Sequence, residues 1–401
     1  MENESHHASY SALFWTFLKI GSTAFGGFMA LISVVQNYVV ERRQLLSQED
    51  MLDGISLATI LPGPIAMNVV AYVGYKLRGG AGALVCTVAV TLPTFIFVLF
   101  LSYGYFTWGE IPSVNKFFQG FVPAVAAIIV TAVWNMGRKN LVGIPERAIA
   151  VSACILLILV GGFLTSLFII LCAGVSGYWL FREAVSEPAE SATKAGKQNV
   201  VEKKGGGKKL YSTTAIPMLS AAAPFLSTDI IMAGKMLVTF GVMSLFLFGG
   251  GFVFIPLIQE IVVDDYGWVT HKEFIDGIAL GQVTPGPILI SAAFIGYKMA
   301  GLLGATAATI GIFTPPALVM IFCARYLERI KNSIVLKAVM RGIRAAVIGM
   351  ILAAAYVVGS TAQMNWISLL IFTMSLLALI KFKWEVAMII PGAGALGLLL
   401  Y

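Results

Sequence analysis

Charged side chains are scarce in this sequence. Asp, Glu, Lys and Arg together make up 12% of its 401 residues, about half of the share found in soluble globular proteins. The hydrophobic class reaches 58%, so a soluble protein of this composition could not cover its surface with polar groups. The composition excludes a disordered regulator and an ordinary cytosolic enzyme, and it predicts an all-α polytopic membrane protein.

Cysteine, histidine and clustered catalytic residues are also sparse. The four cysteines form no Cys-x-x-Cys pair, and the three histidines stand apart from them. Neither a disulfide scaffold nor a metal site is therefore predicted. The sequence shows no Ser/His/Asp set, no phosphate-binding loop and no basic stripe interleaved with aromatic residues. We therefore expect no enzyme, no ATP-driven pump, no cofactor and no nucleic-acid partner.

The chain contains two copies of one unit. Residues 25–65 align without gaps to residues 248–288, and 15 of these 41 positions are identical. After a one-residue deletion the match resumes at Gly74 and Gly296. The predicted organisation is a first transmembrane repeat over 1–182, a polar basic linker with a connecting transmembrane helix over 183–233, and a second transmembrane repeat over 234–401.

The number of membrane spans depends on the Pro-Gly-Pro stretch found in each unit. Each unit offers about six apolar stretches near the length of a membrane helix. If the Pro-Gly-Pro stretches cross the membrane, residues 211–233 must cross once more, and the chain has about 13 spans. If they dip in and return, the chain has about 10 spans and needs no central helix. From the sequence we favour the first count.

Loop charges predict that the two units insert upside down relative to each other. The loop after the third apolar stretch carries Lys116 in the first unit but Arg325, Arg329, Lys331 and Lys337 in the second. The next loop reverses this bias, because the first unit has Arg138, Lys139 and Arg147 whereas the second has no Lys or Arg from 359 to 380. Since basic loops stay in the cytoplasm, the pattern indicates inverted repeats.

Each Pro-Gly-Pro stretch predicts a helix break inside the membrane. Capping boxes at Ser47 and Thr270 begin helices that run roughly 20 Å before they meet Pro62 or Pro285. Proline blocks the helix, glycine permits a bend, and the second proline suits the start of a new helix. Such a start leaves backbone N–H groups unpaired in lipid, and an anion can satisfy them.

Gly-Gly pairs interrupt the first apolar stretch of each unit in the same manner, and inversion would bring all four breaks together near the midplane. The predicted substrate-binding residues are Gly26, Gly27, Pro62, Gly63, Pro64, Asn68, Gly249, Gly250, Gly251, Pro285, Gly286, Pro287 and Ser291. Alternatively, the glycines and prolines serve only as kinks or close-packing points.

Ionisable residues in or near the spans supply further candidates. Asp53, Asp276 and Glu260 are predicted to carry protons for coupling, although Asp53 and Asp276 could instead favour a helix N-terminus at the interface. Three basic residues are predicted to attract an anion, namely Arg43, Arg341 and Arg344. The alternative for these arginines is to reach the membrane surface.

The motifs resemble those of the chromate ion transporter family. In the first unit the resemblance rests on Phe25-Gly-Gly and Leu61-Pro-Gly-Pro-Ile-Ala-Met-Asn68, and in the second on Phe248-Gly-Gly-Gly-Phe-Val-Phe-Ile-Pro256 and the run from Glu273 to Pro287. Members often carry a proline and then a histidine after the first Gly-Gly pair, where this sequence has Phe28-Met29-Ala30-Leu31. This departure concerns the substrate more than the fold.

The resemblance implies a multi-pass protein of the bacterial inner membrane that exports chromate, driven by the proton gradient. Sulfate is the isosteric competitor. One-unit relatives pair antiparallel, which is consistent with the inversion predicted from loop charge. A homodimer is an open alternative for this chain. The other functions considered are transport or exchange of sulfate, a small organic anion or a lipid headgroup on the same fold, and a membrane scaffold without transport. The expected partners are chromate or sulfate, protons and the lipid bilayer.

Overall fold

The computed structural model describes residues 9–25, 27–109, 111–186, 228–248, 254–327, 330, 333–361 and 365–401. Every regular element within these residues is helical. The first helices are α1 (Tyr10–Thr23), α2 (Gly27–Gln36), α3 (Gln48–Ile60), α4 (Ile65–Trp108), α5 (Pro112–Gln119), α6 (Phe121–Asn140), α7 (Ile144–Val160) and α8 (Phe163–Ser186). Those that follow are α9 (Thr228–Ser244), α10 (Phe254–Gln259), α11 (His271–Val283), α12 (Ser291–Ala324), α13 (Ile334–Thr361), α14 (Trp366–Ile380) and α15 (Val386–Leu400).

Long apolar helices confirm the prediction of an all-α polytopic membrane protein. Five helical stretches are long and apolar enough to cross a membrane, namely Ile65–Trp108, Pro112–Asn140, Leu164–Arg182, Ile288–Ala324 and Ile334–Gly359. Large apolar side chains cover their outer faces; Phe100, for example, is 71% exposed and Leu164 is 78% exposed. A surface of this kind is stable against lipid and unstable against water.

The two longest helices are each folded back on themselves. In α4 the backbone leaves helical geometry at Arg78 and Gly79, and a Cβ added to Gly74 would overlap the backbone of Gly82 and Ala83. Residues 74 and 82 would lie about 12 Å apart in a straight helix. Thus α4 consists of a short leg, α4a (65–77), and a long leg, α4b (80–108).

Helix α12 repeats this arrangement. Its backbone leaves helical geometry at Ala300 and Gly301, and a Cβ added to Gly296 would overlap Gly304. The short leg α12a covers residues 291–299, and the long leg α12b covers residues 302–324.

The short legs turn the Pro-Gly-Pro stretches into re-entrant hairpins. Hairpin 1 (residues 48–77) consists of α3 and α4a, and Asp50 and Lys76 at its two open ends form an ion pair of 3.0 Å. Hairpin 2 (residues 271–299) is closed in the same way by Glu273 and Lys298, at 2.6 Å. The stretches therefore dip in and return, and the span count that we favoured from the sequence is wrong. Each leg of about 13 residues reaches only about 20 Å, too short to cross a bilayer core of about 30 Å.

Helices α1 and α2 also lie side by side instead of forming one continuous span. The ammonium group of Lys19 lies 5.8 Å from the centre of the Tyr38 ring, although a straight helix would separate these residues by about 28 Å. Gln36 approaches Gln48 at the open end of hairpin 1, at 3.4 Å. In the described part of the chain, the five stretches named above reach the length and apolar character needed for a span.

Contacts between the two units come in reciprocal pairs. The Gly63 N–H donates to the Leu247 carbonyl at 2.6 Å, and the Gly286 N–H donates to the Ala24 carbonyl at 2.8 Å. Gly63 and Leu247 occupy the same places in the repeat as Gly286 and Ala24. Reciprocal contacts of this kind are those expected of two units related by a two-fold axis, and they bring the tips of both Pro-Gly-Pro hairpins to the inside of the bundle.

The open ends of the two hairpins lie at opposite ends of the bundle. Arg325, just beyond the far end of α12b, donates to the Tyr75 hydroxyl at the open end of hairpin 1, at 3.2 Å. Lys272, at the open end of hairpin 2, donates to Asn115 at 3.0 Å. Asn115 follows the C-terminal end of α4b, which is the end opposite Arg78. We call the end with Arg78 and Arg325 the basic end. Most of the predicted linker and connecting helix, residues 187–227, lies outside the described residues.

Candidate anion site and proton-carrying groups

The tip of hairpin 1 places a helix start inside the bundle. Gly63 has φ 101°, a conformation that glycine adopts more readily than other residues, and Pro64 caps α4 at Ile65. The first N–H groups of a helix have no acceptor within it. Asn68 is fully buried and donates through Nδ2 to the Pro62 carbonyl at 2.9 Å, while its Oδ1 atom has no partner among the described residues.

The tip of hairpin 2 has the same backbone but different side-chain contacts. Gly286 has φ 102°, and the Pro285 carbonyl accepts a hydrogen bond of 2.5 Å from Thr94 of α4b. Ser291, the counterpart of Asn68, donates to the Ile288 carbonyl at 3.1 Å. Thr94 is matched in the second unit by Pro316, which faces Gly63 and has no donor. The polar groups of tip 2 are therefore satisfied more fully than those of tip 1.

Arg344 brings a positive charge to tip 1. This residue lies on α13, and its Nη2 atom donates to the carbonyl of Thr59, in the last turn of α3, at 3.0 Å. A guanidinium group has five N–H donors, so one backbone carbonyl leaves most of them for another acceptor. The equivalent position in the first unit is Val122, which is buried and apolar. The positive charge therefore belongs to one tip only.

The other predicted arginines lie elsewhere. Arg341 forms an ion pair with the buried Glu146, with Nη2 and Nε at 2.5 and 2.7 Å from Oε1. Glu146 also accepts a hydrogen bond from the Gly143 N–H at 3.0 Å, so it caps α7. Arg43 is exposed and follows the π-helical segment Asn37–Arg42 that extends α2. Only Arg344 among the three approaches a hairpin tip.

Asp276 is the most deeply buried of the predicted proton carriers. Its side chain is 0% exposed, and its Oδ2 atom accepts a hydrogen bond of 2.7 Å from the Tyr105 hydroxyl. Lys272 Nζ lies 3.6 Å from the same oxygen, whereas Oδ1 has no hydrogen-bond partner in the described residues. Asp276 precedes Pro285 by nine residues, or about 13 Å of helix. Its counterpart, Asp53, is only half-buried.

Glu260 lies in a separate, mainly apolar cavity that contains a few polar side chains. It begins the π-helical segment Glu260–Asp265 and accepts a hydrogen bond from the Gly162 N–H, in the loop between α7 and α8. The cavity has a volume of about 260 Å³, and Asp264 and His271 also line it. These two side chains approach to 3.5 Å. The cavity lies at the end of the bundle opposite the basic end, away from both hairpin tips.

An ion pair joins the two legs of each hairpin at its open end, which is the end opposite the tip. The hydrogen bond from Lys76 keeps the pKa of Asp50 below its ordinary value. The pKa of Glu273 is also lowered; burial raises it, but the hydrogen bonds from Lys298 and Thr270 outweigh burial. Both carboxylates are thus charged at neutral pH. The described residues contain no group of three or more His, Cys, Asp or Glu side chains that could hold a metal ion.

Four glycines of the predicted site, namely Gly26, Gly249, Gly250 and Gly251, lie outside the described residues. Gly27 is the first residue of α2. The carbonyl groups next to these breaks, at Ala24 and Leu247, accept the hydrogen bonds from the opposite hairpin tips. The structure therefore brings both Pro-Gly-Pro tips next to the chain that leads into a Gly-Gly pair.

These features define a class of protein. A polytopic helical bundle with broken helices that meet inside it, a partly buried arginine (Arg344) and a fully buried carboxylate (Asp276) has the features of a membrane transporter. Comparison with known proteins makes this specific, since residues 11–178 and 234–398 each match the chromate transporter family. The chain belongs to this family. Its members are membrane transporters, not enzymes, and the protein is accordingly a multi-pass bacterial membrane protein.

Several relatives share most of the chain. A chromate transport protein of Cupriavidus metallidurans is 30% identical over 387 residues, which cover 96% of this chain and 92% of the relative. An uncharacterized transporter of Methanocaldococcus jannaschii is 29% identical over 97% of this chain and 94% of its own. The shorter uncharacterized transporter YwrA of Bacillus subtilis is 33% identical over 38% of this chain and 89% of its own. No solved structure shows significant similarity to the chain.

Proposed function

We propose that this protein exports chromate across the inner membrane in exchange for protons. Relatives named chromate transport proteins, including one from Pseudomonas aeruginosa that matches 98% of this chain, support chromate as the substrate. The observation that carries the proposal is the position of Arg344, whose guanidinium lies beside tip 1 with one backbone carbonyl as its hydrogen-bond partner. Sulfate, with the same charge and tetrahedral shape, is the expected competitor.

The chemistry of tip 1 suits a doubly charged oxyanion. The start of α4 at Ile65 offers unpaired N–H groups and the positive end of the helix dipole. Arg344 adds a full positive charge, and a guanidinium pairs well with the oxygens of an oxyanion. The second N–H of the Asn68 amide is a further donor at the same turn of chain. These groups together make Pro62, Gly63, Pro64, Asn68 and Arg344 the core of the proposed site.

We also propose that the two units, 1–182 and 234–401, lie in the membrane with opposite orientations and the basic end in the cytoplasm. Support comes from the hairpins, which open at opposite ends of the bundle. Basic residues of both units then lie at the basic end. Arg147 belongs to this group, because it follows Glu146, and Glu146 binds Arg341 near the start of α13. The positive-inside rule places such an end in the cytoplasm.

Substitution of Arg344 tests the proposed site. We expect Arg344→Gln to raise the KM for chromate about 10- to 100-fold, because a hydrogen bond to a charged group contributes about 1.5–3 kcal/mol. Arg344→Lys keeps the charge but loses the planar donor set, so an intermediate effect is expected. The measurement is chromate flux into liposomes that contain the purified full-length protein.

Two controls make this experiment specific. Lys337→Gln removes one charge from an exposed position of the same helix and should leave KM unchanged. A wild-type flux that persists after the pH gradient has been collapsed would contradict proton coupling. Equal KM values for Arg344→Gln and the wild type would instead contradict anion binding at tip 1.

A further inference from the structure

The hydrogen bond between Tyr105 and Asp276 joins the two units. Tyr105 lies near the end of α4b, in the first unit, whereas Asp276 lies in α11, in the second. Their side-chain oxygens are 2.7 Å apart, which is the distance of a strong hydrogen bond to a charged acceptor. The carboxylate is fully buried, so a change in the relative position of the units at this end would alter its polar surroundings directly.

This contact has no equivalent on the other side of the two-fold relation. The counterpart of Tyr105 in the second unit is Leu327, which cannot donate a hydrogen bond to Asp53. The counterpart of Tyr72 on hairpin 1 is Phe294 on hairpin 2. Tyr72 lies next to Gly54 of its own hairpin, and its hydroxyl has no hydrogen-bond partner among the described residues. Asp276 takes its tyrosine from the opposite unit.

Aromatic side chains hold the Tyr105 ring in place. Ring centres of Phe118 and Phe294 lie 4.7 and 5.2 Å away, both edge-to-face. Phe106 also contacts both Tyr105, at 5.1 Å, and Phe294, at 4.9 Å. The cluster therefore links α4b, α5 and hairpin 2, and it fixes the direction in which the hydroxyl points. Such packing orients a hydrogen-bond donor more strictly than an isolated tyrosine would be oriented.

We propose that Tyr105 is a positioning residue that sets the proton affinity of Asp276 across the boundary between the two units. This inference rests on the proton coupling proposed above. The other ionisable groups that face the carboxylate are Lys272 and Glu273 of its own helix, and Glu273 is paired with Lys298 of α12a. Lys272, Glu273 and Lys298 all belong to hairpin 2 and would stay with Asp276. Tyr105 belongs to the first unit, so its hydrogen bond to Asp276 would break if the units separated at this end.

The experiment measures chromate-dependent proton flux over a series of pH values, with the purified full-length protein in liposomes. Tyr105→Phe keeps the ring and its packing but removes the donor to the charged carboxylate. We expect the pH midpoint of transport to move upward by about one unit, with the KM for chromate unchanged. A merely structural role would change the amount of folded protein and leave the midpoint in place.

Two further variants make the test decisive. Tyr103→Phe removes the hydroxyl of an exposed tyrosine on the same helix, which contacts Trp108 at a ring distance of 6.0 Å, and it should leave the midpoint unchanged. Asp276→Asn removes the carboxylate itself and should abolish chromate-dependent proton flux, whereas Tyr105→Phe should keep this flux and move only its pH midpoint. An unshifted midpoint in Tyr105→Phe, or proton flux that persists in Asp276→Asn, would overturn the inference. Absence of proton flux in the wild type would instead refute the proposed coupling itself.

Discussion

Replacing glycines with alanine separates the cost of backbone strain from the cost of steric overlap at a hairpin tip. Gly63 has φ 101°, and an added Cβ would overlap the Pro316 ring. Gly79 also has a positive φ, of 63°, but an added Cβ would meet nothing within 4 Å. Gly359, within helical α13, has neither constraint. Gly63→Ala therefore tests backbone strain together with steric overlap, and Gly79→Ala tests backbone strain alone. Gly359→Ala is the reference without either cost.

The magnitudes follow from these differences. Gly359→Ala should stabilise the protein by up to about 1 kcal/mol, because alanine is the better helix former. Gly79→Ala should cost about 1–3 kcal/mol, because the Gly79 backbone (φ 63°, ψ −156°) lies in a region that essentially only glycine adopts. Gly63→Ala adds an overpacking cost of about 1–3 kcal/mol to its own backbone strain, for a total of about 2–6 kcal/mol. Gly286→Ala, which would overlap Thr94, should resemble Gly63→Ala.

The assay is the apparent melting temperature of each purified variant in one detergent, together with chromate flux after reconstitution. We expect the order Gly359→Ala, Gly79→Ala, Gly63→Ala from most to least stable, with flux lost in the last variant. If Gly63→Ala melted no lower than Gly79→Ala, the close approach of hairpin 1 to Pro316, and with it the described meeting of the two units, would be wrong.

The ion pairs give two further predictions. Glu146→Gln removes the partner of Arg341 in an ion pair whose carboxylate is buried. We expect this substitution to lower the free energy of unfolding by about 2–4 kcal/mol. Adding Arg341→Met should recover part of the lost melting temperature. Lys76→Ala should cost at most about 1 kcal/mol, because the pair with Asp50 is more than one-third exposed on both sides. Since the pKa of Asp50 is lowered in the folded state, this contribution is present above the unfolded pKa and is lost as the pH falls through the folded pKa. A thermal shift for Lys76→Ala that persists at acid pH would contradict this assignment.

The sequence contained the positions of the helix breaks but not the path of the chain between them. Pro62 and Pro285 interrupt helices for covalent reasons, so their effect can be deduced without tertiary contacts. The fold-back at Arg78 had only a weak signal, because basic residues flank the Pro-Gly-Pro stretch of the first unit on both sides while the apolar character continues beyond them. An apolar stretch reports that lipid or protein surrounds it, and it does not report whether the chain crosses or returns. A span count based on apolar length alone therefore counts returning segments as spans.

In the candidate site, too, individual residues could be predicted from the sequence, but their partners across the fold could not. Arg344 could be singled out, because a charged residue inside an apolar span needs a partner or a function. The pairing of Arg341 with Glu146 could not be deduced, since 195 positions separate the two residues and neither lies in a repeated motif. Tyr105 was missed because tyrosine is common near the ends of membrane helices. Comparison of the units position by position, which sets Tyr105 against Leu327, was the signal that could have found it.

The differences between the two units divide the proposed work between them. Asn68 and Arg344, which replace a serine and a valine at equivalent positions, both lie at tip 1. Asp276 lies in hairpin 2, and Tyr105, which replaces a leucine of the second unit, lies beside it. A duplicated frame supplies two re-entrant hairpins with the same backbone, so the polar groups of one can change while the other still completes the fold. If transport moves the hairpins relative to each other, the anion at one and the proton at the other are coupled through that motion, without direct contact between the two sites.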